Sequence, residues 1–244
     1  MKYKCILMLT MAVLLTAGQA FATVLVDEFD GAGDLSWTVP ADNQTGNGFV
    51  FDDSGVATGT LGTQGRCAYA VADIPQEAVD NGYTVTVKVK CVGQGGASSP
   101  FLGLGFGVDT YMTGNWIHSG WGGGNFQYST TDPIASSWGG GTGMNQMDTW
   151  YYVRATVAAG GTSAVFSYSA DDVTFNLGFG GGAQTTVPHA NTVALLSTHE
   201  FGDGGASNPN VSVFDSIEVE YVPEPATLVL LGLGCTALLR RKRA

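Results

Sequence analysis

Tyr83 to Cys91 reads YTVTVKVKC. Tyr83, Val85, Val87, Val89 and Cys91 fall on one side of an extended chain, and Thr84, Thr86, Lys88 and Lys90 on the other. Side chains of a strand alternate with a period of two, so the stretch predicts an antiparallel strand with one face in a core and one in water. Just before it, Ile74 to Asn81 (IPQEAVDN) predicts a short helical turn that Gly82 ends. Just after it, Phe101 to Val108 (FLGLGFGV) sets Leu102, Leu104, Phe106 and Val108 against Gly103, Gly105 and Gly107. Alternating glycines weaken a strand. They imply either a closely packed backbone, which is glycine's usual role, or a flat face left open for a ligand.

The same alternation recurs along the chain. Thr23 to Phe29 predicts a first strand closed by Asp30-Gly31, and Gly48 to Asp52 and Cys67 to Val71 predict two more. Trp150 to Ala158 alternates, turns at Gly160-Gly161 and returns as Ala164 to Ser169. Asp171-Asp172 makes the next turn, after which Val173, Phe175, Leu177 and Phe179 alternate again. Thr192 to Thr198 and Val211 to Tyr221 complete the set. Between them, Asp109 to Thr149 reads as a long glycine-rich loop, with one strand expected within Asn125 to Ser129. Short strands spaced by glycine and aspartate turns, with no sustained helical period, predict an all-β antiparallel sandwich of jelly-roll type.

Several motifs resemble the concanavalin A-like lectin/glucanase fold in its laminin G-like variety. Val26-Asp27-Glu28-Phe29-Asp30-Gly31 opens the domain, Trp150 to Arg154 leads a hairpin, and Phe166 to Phe175 is similar to the tyrosine–serine–x–aspartate–glycine hairpin of such domains. Phe214 to Val219 resembles their closing strand. Asp172 stands where that hairpin expects glycine. The resemblance implies a fold and leaves the function to be argued from a site.

Both ends read as addresses. Met1 to Ala22 has Lys2 and Lys4, an apolar core from Ile6 to Leu15 and a closing Ala20-Phe21-Ala22, the pattern of a cleavable secretory signal peptide. At the other end, residues 222–244 run from Pro223-Glu224-Pro225 through an uncharged stretch, Ala226 to Leu239, to Arg240, Arg241, Lys242 and Arg243. Two prolines around one glutamate make an extended spacer, and a basic cluster stops a membrane segment on the cytoplasmic side. Fourteen helical residues cover roughly 21 Å of a core about 30 Å thick, a mismatch that snorkelling and local thinning absorb. The order of these parts resembles the PEP-CTERM sorting signal. It implies transient residence in the inner membrane, an exosortase-type partner that cuts near the proline pair, and a final place at the cell surface or in the extracellular matrix. A body of residues 23–221 remains, enough for one domain with a real core.

That body is acidic. Its basic residues are Arg66, Lys88, Lys90 and Arg154, against all of the chain's 21 acidic residues except Glu224. Nucleic acid is excluded as a partner, because phosphate recognition needs clustered Lys and Arg. Two cysteines lie in the body, and in an oxidising compartment they are expected to pair as Cys67–Cys91, against the alternative of two buried thiols.

Catalytic chemistry is poorly represented. A glucanase of this fold needs paired carboxylates flanking a scissile bond, and its E-x-D-x-x-E strand motif is absent. Glu218 and Glu220 share the solvent face of a strand. His199-Glu200 lacks a second histidine, His118 and His189 are isolated, and no serine sits in a G-x-S-x-G elbow. The expectation is therefore a noncatalytic protein with no cofactor, the alternative being a glycoside hydrolase-like enzyme with an unrecognised site.

Structural calcium is the one ion these carboxylates suggest. Asp27, Asp30 and Asp215 would approach one another if the first and last strands pair. On a period-two reading Asp215 interrupts the inward face between Val213 and Ile217, so it needs a cation, a turn amide or a bulge. A hydrogen-bonded or bulged aspartate is favoured, since calcium takes six or more oxygens. Trp37 and Trp150 are assigned to the core or to strand starts, while Trp116, Trp121 and Trp138 share the long loop. Indole faces stack on the apolar face of sugar rings, so these three are candidates for weak binding of neutral or uronic polysaccharide. The competing reading folds them back as a seal over the sandwich.

Overall fold

The computed structural model describes residues 22–40, 48–51, 54–61, 67–92, 98–105, 116–120, 126–129, 148–177, 183–185, 187, 189–199 and 210–223. The strands are β1 (Thr23–Asp27), β2 (Trp37–Thr38), β3 (Gly48–Phe51), β4 (Ala57–Leu61), β5 (Cys67–Asp73), β6 (Tyr83–Val92), β7 (Ser98–Leu104), β8 (Trp116–Gly120) and β9 (Phe126–Ser129). After them come β10 (Tyr151–Val157), β11 (Ser163–Ser169), β12 (Asn176–Leu177), β13 (Ala183–Thr185), β14 (Thr192–His199) and β15 (Asn210–Tyr221). One short helix, α1 (Gln76–Asn81), precedes β6, and Gly82 ends it at φ 84°, as its sequence predicts.

The strands form two antiparallel sheets. The larger runs β12-β11-β10-β6-β15-β4-β3, with β1 also on β15 and β13 on β11, and the smaller runs β2-β5-β14-β7-β8-β9. In β6 burial alternates residue by residue, and Tyr83, Val85, Val87, Val89 and Cys91 all face inward. Opposite them the smaller sheet contributes Ala68, Ala70, Ala72, Leu102, Leu104, Val193 and Leu195 to the same core. Tyr69, Val71, Phe101, Ala194 and Leu196 form a second buried cluster. By strand parity they lie on the far side of the smaller sheet, so β5, β7 and β14 are buried on both faces. That is why AYAVA, FLGL and VALL read as continuous apolar runs instead of alternating. Val24–Tyr221 forms one compact unit around this core.

The sheets approach closely at Gly59, where an added methyl would lie 2.8 Å from Ser197 Cβ and 2.9 Å from the Phe49 ring. Beside it the buried hydroxyls of Ser197 and Ser212 bond to each other at 2.8 Å across the sandwich, so neither burial leaves an unmet polar group.

Three expectations are corrected. First, β15 does not keep one phase. Its register against β6 shifts between Phe214 and Ser216, a β-bulge. Ser212 and Phe214 face the core before it, and Ile217, Val219 and Tyr221 after it. Val211 and Val213 therefore lie on the outer side, and Asp215 is not an inward carboxylate interrupting an apolar face. Second, Val173 to Phe179 is not one strand. Among the described residues of that run, pairing is confined to Asn176–Leu177, and Val173 is 82% exposed. Third, the segment from Asp109 to Thr149 includes the strand β8 in addition to β9. The strand β4 had no sequence signal, since ATGTL lacks a bulky apolar alternation.

The turn after β11 is a local carboxylate network. Asp171 Oδ1 accepts from the backbone N–H of Val173 (3.0 Å) and Thr174 (2.9 Å) and from Ser169 Oγ (2.8 Å). Asp172 occupies the left-handed region at φ 60°, the place of the expected glycine, which aspartate tolerates better than most residues. The Thr174 and Val173 amides and the Ser169 hydroxyl hold the Asp171 carboxyl down from its usual 3.8 to about 2. Its contribution to stability is thus present in full above the unfolded-state value and fades as pH falls toward 2. Urea denaturation across pH 5 to 2 is expected to show the gap between wild type and Asp171→Ala narrowing with acid, in that window.

Candidate functional site

The last residue of β1, Asp27, is only 4% exposed. Its Oδ1 accepts from the Phe29 N–H at 2.8 Å, a side-chain turn of the type aspartate forms with its own backbone. Phe29 is thereby set at φ 55°, which ends the strand and buries its ring. Asp27 Oδ2 accepts from the indole Nε1 of Trp37 at 2.8 Å. Between these contacts the chain closes on itself. Asp30 Oδ1 accepts from Ala32 N–H at 3.0 Å, and Asp34 both donates its N–H to the Val26 carbonyl and accepts from Val26 N–H, each at 3.0 Å. Gly33 packs directly on the Asp27 carboxylate, where a methyl group would overlap it.

Aromatic rings complete the wall. Phe29, Trp37 and Phe51 lie within 6.0 Å of one another between centroids, and Trp37 stacks on Phe51 at 5.6 Å with 24° between planes. Phe51 meets Phe49, which meets Phe214 of the core. The carboxylate, the three rings, Leu35, Gly31 and Gly33 line a pocket of about 230 Å³.

A second polar group lies on the outer side of the larger sheet. Lys88 Nζ bonds Asp215 Oδ2 at 2.8 Å, and this hydrogen bond raises the Lys88 pKa despite some opposing desolvation. Lys88 and Lys90 sit over the Trp150 ring at 5.0 and 4.7 Å, and the Arg154 guanidinium stacks on Phe175 at 3.5 Å while donating to Thr86 Oγ1.

The expected site residues are distributed as follows. The pairing of β1 with β15 is present, but Asp27 is bound to Phe29 and Trp37, Asp30 to Ala32, and Asp215 to Lys88 through the bulge. Among the described residues no three His, Cys, Asp or Glu side chains gather as a metal site. Cys91 is buried on the core face and its thiol is pushed up to about 12, chiefly by burial. The side chain of Cys67 lies outside the described residues, and with it the expected bridge. Trp116 begins β8, opposite Ser129 of β9, but its side chain is outside the described residues, as are Trp121 and Trp138 altogether. Trp37 and Trp150 sit at strand starts as expected. Of the sorting motif Pro223 is described, whereas Glu224, Pro225, residues 226–239 and the basic cluster Arg240, Arg241, Lys242 and Arg243 are not. Among the described residues no helix is long and apolar enough to cross a membrane. The pocket beside Asp27 was not anticipated. The available signal was an aspartate in a turn-rich run with an indole ten residues on, which alone does not reveal a partnership.

Residues 222–243 match the PEP-CTERM protein-sorting motif, the recognition signal of exosortase substrates. A search of curated protein sequences finds no match. The fold is similar to lectin and concanavalin A-like β-sandwiches. A protein of unknown function from Shewanella oneidensis MR-1 superposes with a TM-score of 0.55 at 14% identity, covering 84% of this chain and 88% of its own. A structure from a study of endo-acting O-glycanases that initiate mucin breakdown in the human gut microbiota gives 0.52 at 13%, covering 81% and 98%. The exoplasmic/lumenal domain of VIP36, bound to Ca2+ and Man2, gives 0.50 at 9%, covering 82% and 87%. At such identities the likeness defines a fold. The chain is an all-β, lectin-like sandwich that carries an exosortase sorting address.

Gly33 tests how the site is held. Gly33→Ala is expected to displace the Asp27 carboxylate and cost about 1–3 kcal/mol, as overpacking does. Chemical denaturation measures the loss, and a near-ultraviolet circular dichroism change would report the disturbed Trp37 ring.

Proposed function

We propose that this chain is a noncatalytic surface or matrix protein, exported and sorted by an exosortase, whose sandwich binds polysaccharide. The observation that carries the sorting part is the motif at residues 222–243, which begins one residue beyond the buried end of β15. The binding part is supported by a lectin-like fold whose neighbours include a mannose-bound domain. Trp116, Trp121 and Trp138 remain its candidate contacts, with calcium as an optional structural ion. An enzyme acting on extracellular polysaccharide is the second reading, favoured by the glycanase-related neighbour. It needs two carboxylates placed about a glycosidic bond, roughly 5 to 9.5 Å apart. In the described residues the outward Glu218 and Glu220 stand on an exposed strand face, while Asp27 and Asp215 are each engaged by their own partners.

Two measurements check this reading. In a host with an exosortase, mass spectrometry is expected to find mature chains that begin after Ala22 and end near Pro223-Glu224-Pro225; chains still ending at Ala244 would contradict sorting. Titration against a glycan panel, with and without calcium, is expected to give weak binding that the triple variant Trp116→Ala/Trp121→Ala/Trp138→Ala abolishes. No reducing ends should accumulate from any polysaccharide, and their appearance would favour the enzyme.

A further inference from the structure

The pocket beside Asp27 holds a buried carboxylate that, among the described residues, has no cation against it. Both hydrogen bonds to this carboxylate come from neutral donors, the Phe29 amide and the Trp37 indole. Among the described residues the ion pairs are Lys88–Asp215 and Arg154–Asp172, and neither involves Asp27. From Thr23 to Pro40 the sequence contains no Lys, Arg or His, and it adds Glu28, Asp30 and Asp34. Buried charges are otherwise paired, because an uncompensated one is costly. A carboxylate has about four lone-pair positions, of which hydrogen bonds from the described residues fill two.

The walls narrow the choice of cation. Phe29, Trp37 and Phe51 present π-systems whose faces attract positive charge, tryptophan most strongly. Calcium prefers six to eight oxygens, whereas Asp27 supplies the side-chain oxygens of this lining and three of the other residues are aromatic. An organic ammonium ion fits better, since it carries its own apolar surface to set against the rings. At about 230 Å³ the pocket is smaller than the 300–1,000 Å³ typical of drug-sized sites, so it suits a head group or a single ring. Gly33 packs against one side of the carboxylate, where a side chain would overlap it, so the group must reach Asp27 from the pocket side.

We infer that this pocket binds an organic ammonium group, with the charge on the Asp27 carboxylate and the apolar body against Trp37 and Phe51. The group could arrive as the protonated amine of an amino sugar or as a quaternary alkylammonium. Both share the required chemistry, a positive charge on a compact apolar frame. The residues of this site do not include the loop tryptophans of the proposed glycan contact, so failure of either proposal leaves the other standing.

The test is titration of the full chain in a polyoxyethylene detergent, which contributes neither sugar nor ammonium. The probes are glucosamine, N-acetylglucosamine, glucose and choline. The readout is the indole N–H resonance of Trp37, identified through Trp37→Phe. Glucosamine or choline is expected to shift it with a Kd on the order of millimolar. Glucosamine alone would assign an amino sugar, choline alone a quaternary amine, and both a general ammonium pocket. Glucose or N-acetylglucosamine binding as well as glucosamine would overturn the proposal, because charge would then not matter. No shift with any probe would overturn it too, leaving Asp27 a brace for its loop. Asp27→Asn should weaken ammonium binding at least roughly tenfold, about 1.4 kcal/mol. Should that variant fail to fold, Phe51→Leu keeps the Asp27–Trp37 bond and is expected to weaken binding by a similar factor. Unchanged affinity in a folded Phe51→Leu chain would count against the assigned wall.

Discussion

The pairing of β6 with β15 is the interaction on which the sandwich rests. It runs from Val211–Val92 to Tyr221–Tyr83, the full length of β6 and all of β15 after Asn210, and β10, β4 and β1 attach to its flanks. Both strands present a continuous inward row, and the facing rows of β5, β7 and β14 close the core against them. A sheet face that buries one row specifies its register tightly, because a slip of one residue would turn the whole row outward. The bulge at Asp215 is such a slip, confined to one position. It reverses the phase of β15 midway, and the core continues because Phe214 and Ile217 fill it on either side.

That bulge also marks where the sequence ceased to be legible. The alternation in YTVTVKVKC is unambiguous, because Thr and Lys on one side and Val on the other leave a single way to face the core. Pro–Gly punctuation likewise defined α1, since Gly82 has the positive φ that ends it. In VSVFDSIEVEY, by contrast, apolar residues occur at both parities, and a simple period-two count carries Asp215 inward. Only the partner strand shows that one residue is extra. The late start of β12 has a similar origin: Val173 and Phe175 alternate on paper, but the turn that Asp171 organises occupies Val173 and Thr174, and Phe175 is drawn to Arg154.

The candidate site was less legible than the fold. Asp27 was singled out for a possible ion, and Trp37 was assigned to the core or a strand start. Nothing in a one-dimensional pattern joins them, because their contact depends on a loop folding back over ten residues. The physical requirement is clear only afterwards. A carboxylate at the inner end of a strand must be met, and here an amide and an indole meet it while a glycine makes room. The lone bulky ring with a polar handle in that stretch was the clue.

The position of β15 has a further consequence for how the chain comes into being. It is the last strand of the body in sequence and among the most enclosed in space, with Tyr221 7% exposed and Val222 already 51%. Contacts of β6 and β10 with one another are available early, but the larger sheet has a gap until the final dozen residues arrive. Non-local pairing of this kind is slow, because the intervening chain must be ordered first. A chain that emerges from its N-terminal end therefore leaves the body incomplete until its last segment is available. The sorting address follows at once, so maturation of the fold and exposure of the address fall at nearly the same moment in the life of the chain.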